Sequence, residues 1–124
     1  MLKYEFDHKR KLIIETARGE IRLTELIEHE KTKFNDPEHN DSYSIFVDLR
    51  NSKFVLTDQD KEMIFKLIKE YTAKINAKRK LALLTYSPEE VVTSELLKRR
   101  MSKLTNLRLE IFSTENAAYK WLSL

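Results

Sequence analysis

From Tyr43 onward, segments patterned as strands alternate with segments patterned as helices. This alternation constrains the fold more than any other feature of the 124-residue chain. Tyr43 to Leu49 (YSIFVDL) and Leu81 to Tyr86 (LALLTY) are short apolar runs between turn signals, the pattern of strands buried on both faces. Between them Thr57-Asp-Gln-Asp supplies a hydroxyl cap with an acid three residues later. The helix it opens runs to about Asn76 or Lys78, with Ile64, Leu67, Ile68, Tyr71 and Ile75 on one stripe. Arg50 to Leu56 is left as the loop that leads into it. Ser87-Pro-Glu-Glu opens the next helix, with Ser87 as cap, Pro88 at the first helical position and Glu90 closing a capping box. That helix carries Val91, Val92, Leu96, Leu97, Met101 and Leu104. Leu107 to Phe112 alternates as a last strand, and Ser113 or Thr114 caps a terminal helix holding Ala117, Ala118, Trp121 and Leu122. Strands joined by helices take right-handed crossovers and pair mostly in parallel.

The first forty residues differ. Leu2 to Asp7 alternates apolar and polar residues, and Lys11 to Arg18 (KLIIETAR) is rich in β-branched residues. The short polar gap between them predicts an antiparallel hairpin. Gly19, the only glycine, marks a bulge or a tight exit from the second strand. A helix follows, with Leu23, Leu26, Ile27 and Phe34 on one face and Glu25, Glu28, Glu30, Lys31 and Lys33 on the other. Asn35-Asp-Pro-Glu-His-Asn-Asp-Ser ends it as a loop. The order is therefore β-β-α-β-α-β-α-β-α. It defines a single α/β domain over residues 1–124, with a mixed, mostly parallel sheet, an N-terminal antiparallel hairpin and flanking helices.

Composition narrows the function classes. Without cysteine there are no disulfides, thiolate metal sites or cysteine nucleophiles, and one glycine cannot build a phosphate-cradling loop. No apolar stretch is long enough to span a bilayer, and the N-terminus has no apolar signal core, so a cytoplasmic protein is expected. The net charge of +3 hides an asymmetry: residues 1–62 carry 11 basic and 14 acidic side chains, residues 63–124 carry 12 and 6. The excess lies in Lys74, Lys78, Arg79 and Lys80 and in Lys98, Arg99, Arg100 and Lys103. Such clusters attract phosphate backbones, but both fall where helices end, and cations there complement the helix dipole as solvated charge. No aromatics interleave with them as in stacking platforms, so nucleic acid is not the expected partner.

Catalytic constellations find no support. His29-Glu-Lys-Thr-Lys33 puts a lysine where a zinc helix needs its second histidine. His8, His29 and His39 share no ligand spacing and read as surface histidines. No metal, cofactor or catalytic residue is expected. Asp48 lies at the carboxyl end of a central strand, where open α/β sheets place their ligand crevice. A phosphorylated-aspartate receiver would need an acidic pair after the first strand and a lysine after the last. The chain has Asp7-His8 and Phe112-Ser113 there. Asn51, Thr57, Asp58, Thr85, Tyr86 and Ser87 fall near the same edge as Asp48. They form a candidate partner or ligand surface, though a polar strand-end cluster serves equally to cap helices and close loops. Phe54, with Val55 and Leu56, either plugs the sheet edge or joins that surface.

Three segments carry a resemblance to a known family: Lys11 to Glu28 (KLIIETARGEIRLTELIE), Phe46 to Asp60 (FVDLRNSKFVLTDQD) and Glu110 to Leu122 (EIFSTENAAYKWL). The chain resembles the STAS-like, SpoIIAA-like domains over nearly its full length. The resemblance implies a SpoIIAA-like fold and a bacterial, non-enzymatic module that binds a protein partner or a second copy of itself. In the anti-sigma factor antagonists of that family, the loop after an Asp-Leu strand bears a phosphorylated serine before a glycine. Aligning Asp48-Leu49 puts Thr57 on the first serine of that loop, Asp58 on the phosphorylated one and Gln59 on the glycine. Asp58 cannot take up phosphate as serine does, so it is a first-turn acid or a fixed mimic of the phosphorylated state. The likeness of STAS-like to Sec14-like domains makes a small molecule or lipid the alternative ligand. Weak nucleic-acid binding through the basic second half is the second alternative.

Overall fold

The computed structural model describes residues 1–75, 78–103 and 106–123. Five strands and four helices follow in the order β1 (Leu2–Asp7), β2 (Leu12–Arg22), α1 (Leu23–Asn35), β3 (Ser44–Val55), α2 (Asp58–Ala73), β4 (Arg79–Leu84), α3 (Pro88–Met101), β5 (Leu107–Phe112) and α4 (Glu115–Leu122). The sheet order is β1-β2-β3-β4-β5. β1 pairs antiparallel with β2, and every later neighbour pair is parallel. The element string and the mixed sheet agree with the sequence expectation.

Strand order has a consequence for the layers. Each crossover advances one place in the same direction, so right-handed connections put all three crossover helices on one face. Leu26 of α1, Ile68 of α2 and Leu97 of α3 accordingly pack with the inward residues Ala17, Leu49, Leu83 and Leu109. The opposite face is closed by α4 alone. Its Ala118 and Leu122 lie on Leu12, Phe46, Ala82 and Leu84, all almost fully buried.

Strand lengths depart from expectation. β2 has 11 residues and β3 has 12, against 6 in β4 and 6 in β5. The segment from Arg50 to Val55, expected as a loop, continues β3 and pairs with Arg18 to Arg22. The pairing slips between Thr16 and Arg18 because β3 carries one extra residue there, as at a bulge. Gly19 follows with φ +70°, a left-handed conformation that favours glycine. Its tight geometry therefore lies inside β2 rather than at its exit. Helix α2 ends at Ala73, short of the expected Asn76 or Lys78. Asn76 and Leu104 lie outside the described residues.

Candidate functional site

The face beneath α1, α2 and α3 holds a partly enclosed cavity of about 160 Å³. Three helices laid across a twisted sheet leave space between their apolar stripes. Leu26, Val47, Ile64, Ile68 and Leu97 wall it. Charged side chains meet it at Glu15, His29, Glu30, Lys33, Lys61, Arg79 and Glu90.

Sequence reading placed none of these residues in a site, and it placed His29, Glu30 and Lys33 wrongly. Glu30 and Lys33 were expected on the solvent face of α1, and His29 on the surface. Instead Lys33 is 3% exposed and His29 9%. The reason is Glu15, which occupies an inward position of β2 between Ile13 and Ala17 and is itself 4% exposed. Its Oε1 lies 2.5 Å from His29 Nε2, and its Oε2 accepts from Lys33 Nζ at 3.0 Å. Lys33 Nζ also donates to both carboxylate oxygens of Glu30 at 3.1 Å. The spacing of His29 and Lys33 stacks both one turn apart on the α1 face that meets the sheet. Burial alone would raise the Glu15 carboxyl, but Lys33 and His29 outweigh it and hold it at about 2. Glu30 moves up, driven first by burial, with Glu15 adding to it and Lys33 opposing. Burial opposes the charge on Lys33, yet the two carboxylates win and raise its ammonium.

The Glu15, His29 and Glu30 ligand atoms come within 4.8 Å of one another, a composition that suits a metal ion. Lys33 already sits between the two carboxylates. Its ammonium takes the place a metal cation would need, and three hydrogen bonds satisfy it.

Arg79 corrects the basic-cluster reading. It is 4% exposed at the start of β4, and its Nε donates to the Tyr43 carbonyl at 2.9 Å. Lys80 donates to the Trp121 carbonyl, Lys98 to Glu110 and Arg100 to Glu62. Arg79 and Lys80 are therefore engaged within the fold, while Lys98 and Arg100 pair with acids at the surface. His39 is a further correction, since its side chain is 5% exposed against Phe34 rather than on the surface. Burial, then the nearby charge of Arg79, lowers its pKa.

The candidate surface residues differ in burial and in what holds them. Asp48 faces the α4 side and is tied down by Arg50. Arg50 Nε and backbone N–H each donate to Asp48 Oδ1 at 3.0 Å, and Nη2 donates to Oδ2 at 2.8 Å. Burial would raise the Asp48 carboxyl, but Arg50 lowers it overall. The pair braces the bulge in β3. Asn51 is exposed on the β3 extension opposite Arg18. Thr57 caps α2, accepting from the Asp60 N–H at 3.0 Å while Asp60 accepts from the Thr57 N–H at 2.9 Å. Asp58 is an exposed first-turn acid. Thr85 is 1% exposed, and its buried hydroxyl has no hydrogen-bond partner among the described residues. Phe54 packs into the core and lines the cavity, as a plug. The expected capping box of α3 does not form, because Ser87 makes no side-chain cap bond. Glu90 instead turns inward, and its Oε1 accepts from the Phe54 N–H at 3.0 Å. Val92 and Leu96, expected in the buried stripe of α3, are 70% and 40% exposed, and Tyr86 is 61% exposed.

This architecture, one mixed sheet with three crossover helices on one face, matches a solved structure. That structure is an uncharacterized protein of the DUF3478 family with a SpoIIAA-like fold from Shewanella loihica PV-4. The match has a TM-score of 0.57 at 15% identity and covers 98% of this chain and 93% of that one. The chain has a SpoIIAA-like fold. Comparison with models of protein families found no match, and comparison with curated proteins found none. No helix among the described residues is long and apolar enough to cross a membrane.

Proposed function

We propose that this protein is a non-enzymatic binding module that holds a small, largely apolar ligand in the cavity beneath α1, α2 and α3. The observation that carries this reading is the cavity itself. At about 160 Å³ it has the capacity of cavities that accept a benzene-sized molecule. Left empty, such a volume costs on the order of 4 kcal/mol, since each Å³ costs roughly 24 cal/mol. A small domain has little stability to lose, and an occupant offsets that cost. The test is native mass spectrometry of freshly purified protein together with thermal melts in hexan-1-ol. A bound small mass, or a melting temperature that climbs with alcohol concentration, supports the reading. A bare chain mass and an unmoved melting temperature overturn it.

A second reading rests on α3. Tyr86, Val92 and Leu96 expose apolar surface, and Val92 and Leu96 lie one turn apart. A second copy laid antiparallel would place Val92 against Leu96 and Glu89 against Arg99, all exposed on this helix. This is protein association of the kind the family resemblance implies. Light scattering across a concentration series, with Val92→Asp as control, tests it. A monomer at every concentration removes the second copy.

A further inference from the structure

We infer that the ligand of this cavity carries a carboxylate, and that Arg79 receives it. The inference rests on the reading that the cavity holds a small apolar ligand and assigns that ligand its polar end. The charges lining the cavity differ in how they are answered. Glu15, Glu30, His29 and Lys33 answer one another through contacts of 2.5–3.1 Å. Glu90 accepts from a backbone N–H, and it has no orphaned buried oxygen. Arg79 stands apart. It lines the cavity, it is 4% exposed, and among the described residues Nε is the only nitrogen of its side chain with a hydrogen-bond partner. Its Nη2 is buried without a partner, and Arg79 makes no ion pair among the described residues.

A guanidinium cannot shed its proton to escape burial, unlike a lysine or histidine. Its burial is costly unless a counter-charge meets it. Burial does pull the Arg79 pKa below its ordinary value, and the more distant Asp41, Glu15 and Glu30 only partly oppose that pull. An anion with acceptor oxygens answers a buried guanidinium. A carboxylate fits the planar fork of a guanidinium. The volume of about 160 Å³ limits the apolar body to roughly six carbons. The ligand class is a short monocarboxylate with its chain among Leu26, Ile68 and Leu97 and its head at the amino end of β4.

The experiment compares hexanoate, hexan-1-ol and hexylammonium as probes of the whole chain by NMR titration at neutral pH. Hexanoate is expected to bind at least about tenfold tighter than hexan-1-ol, the factor a charge-assisted hydrogen bond provides. Arg79→Gln should erase that preference while leaving hexan-1-ol binding intact. Because Arg79→Gln also removes the bond to Tyr43, a wild-type measurement stands beside it. The carboxyl of ¹³C-labelled hexanoate, titrated in the complex, should lose its proton at a lower pH than free hexanoate. Equal binding of hexanoate and hexan-1-ol, or a carboxyl that titrates higher when bound, overturns the carboxylate and leaves the cavity reading standing. Tighter binding of hexylammonium assigns the charge to Glu90 and overturns the role of Arg79. A hexanoate preference that survives Arg79→Gln also overturns the role of Arg79 and moves the carboxylate to Lys61, the half-buried cation of the lining. Binding of none of the three overturns the cavity reading with it.

Discussion

The two faces of one sheet have been closed in opposite ways. On the α4 side, Leu12, Phe46, Ala82 and Leu84 meet Ala118 and Leu122 directly, with no charged residue in the cluster. On the other side three helices span the sheet, and they leave a cavity of about 160 Å³ with Glu15, His29, Lys33 and Arg79 buried at its walls. The strands present apolar residues to both faces, so the strand pattern does not create the difference. It comes from the number of helices and from what each presents inward. A single short helix with alanine at its contact can lie close to the sheet. Helices that carry histidine, lysine and glutamate inward hold themselves apart from it. The sealed face is closely packed, and the open face gives up packing around a cavity.

The largest expected effect comes from breaking the charge balance of the open face. Lys33→Met leaves Glu15 and Glu30 buried without their cation and should cost about 3–5 kcal/mol, read as a shift of the urea midpoint. The same cluster gives this face a pH signature of its own. Glu15 is more acidic folded than its ordinary value of 4.5, so its contribution is present above that pH. It is lost as the pH falls toward about 2. Glu30 shifts upward and its protonation favours the fold in acid, which offsets part of the loss. A net fall of about 1–3 kcal/mol between neutral pH and strong acid is expected, and Glu15→Gln should flatten it. Lys33 is raised, so its contribution holds below its ordinary 10.5 and fades only above that.

Enlarging side chains sharpens the comparison further, because the sign should differ between the faces. Ala118→Leu overpacks the sealed face and should destabilise by about 1–3 kcal/mol. Leu97→Phe fills the open face and should stabilise by about 0.5–2 kcal/mol while abolishing hexan-1-ol binding. Loss of stability in both variants would show the cavity to be as tightly filled as the other face. The smallest effects concern the caps of the helices that roof the cavity. Thr57→Ala should cost about 1 kcal/mol, and Ser87→Ala close to nothing, since only Thr57 accepts from its helix. Paired thermal melts decide between them.

The sequence by itself determined the element order, the antiparallel start and the parallel remainder. Those follow from periods of two and of three to four residues, which are local properties of the chain. The capping box at Thr57 and Asp60 was legible for the same reason: its partners are three residues apart. The α3 box was equally legible and did not form, because Glu90 found a partner 36 residues away in Phe54. The open face was decided by such distant partners throughout. Glu15 meets His29 from 14 residues away and Lys33 from 18, and Arg79 reaches Tyr43 across 36. A lysine four residues after a histidine on a polar helix face looks solvated until a strand glutamate turns it inward. Only a sign of that remained in the sequence, an acid at an inward position of the run LIIETA. Strand order, read from no local pattern, put three helices on one face and one on the other. Burial of charge and the placing of empty space are properties of the assembled chain, because both depend on which residues meet rather than on which residues are neighbours.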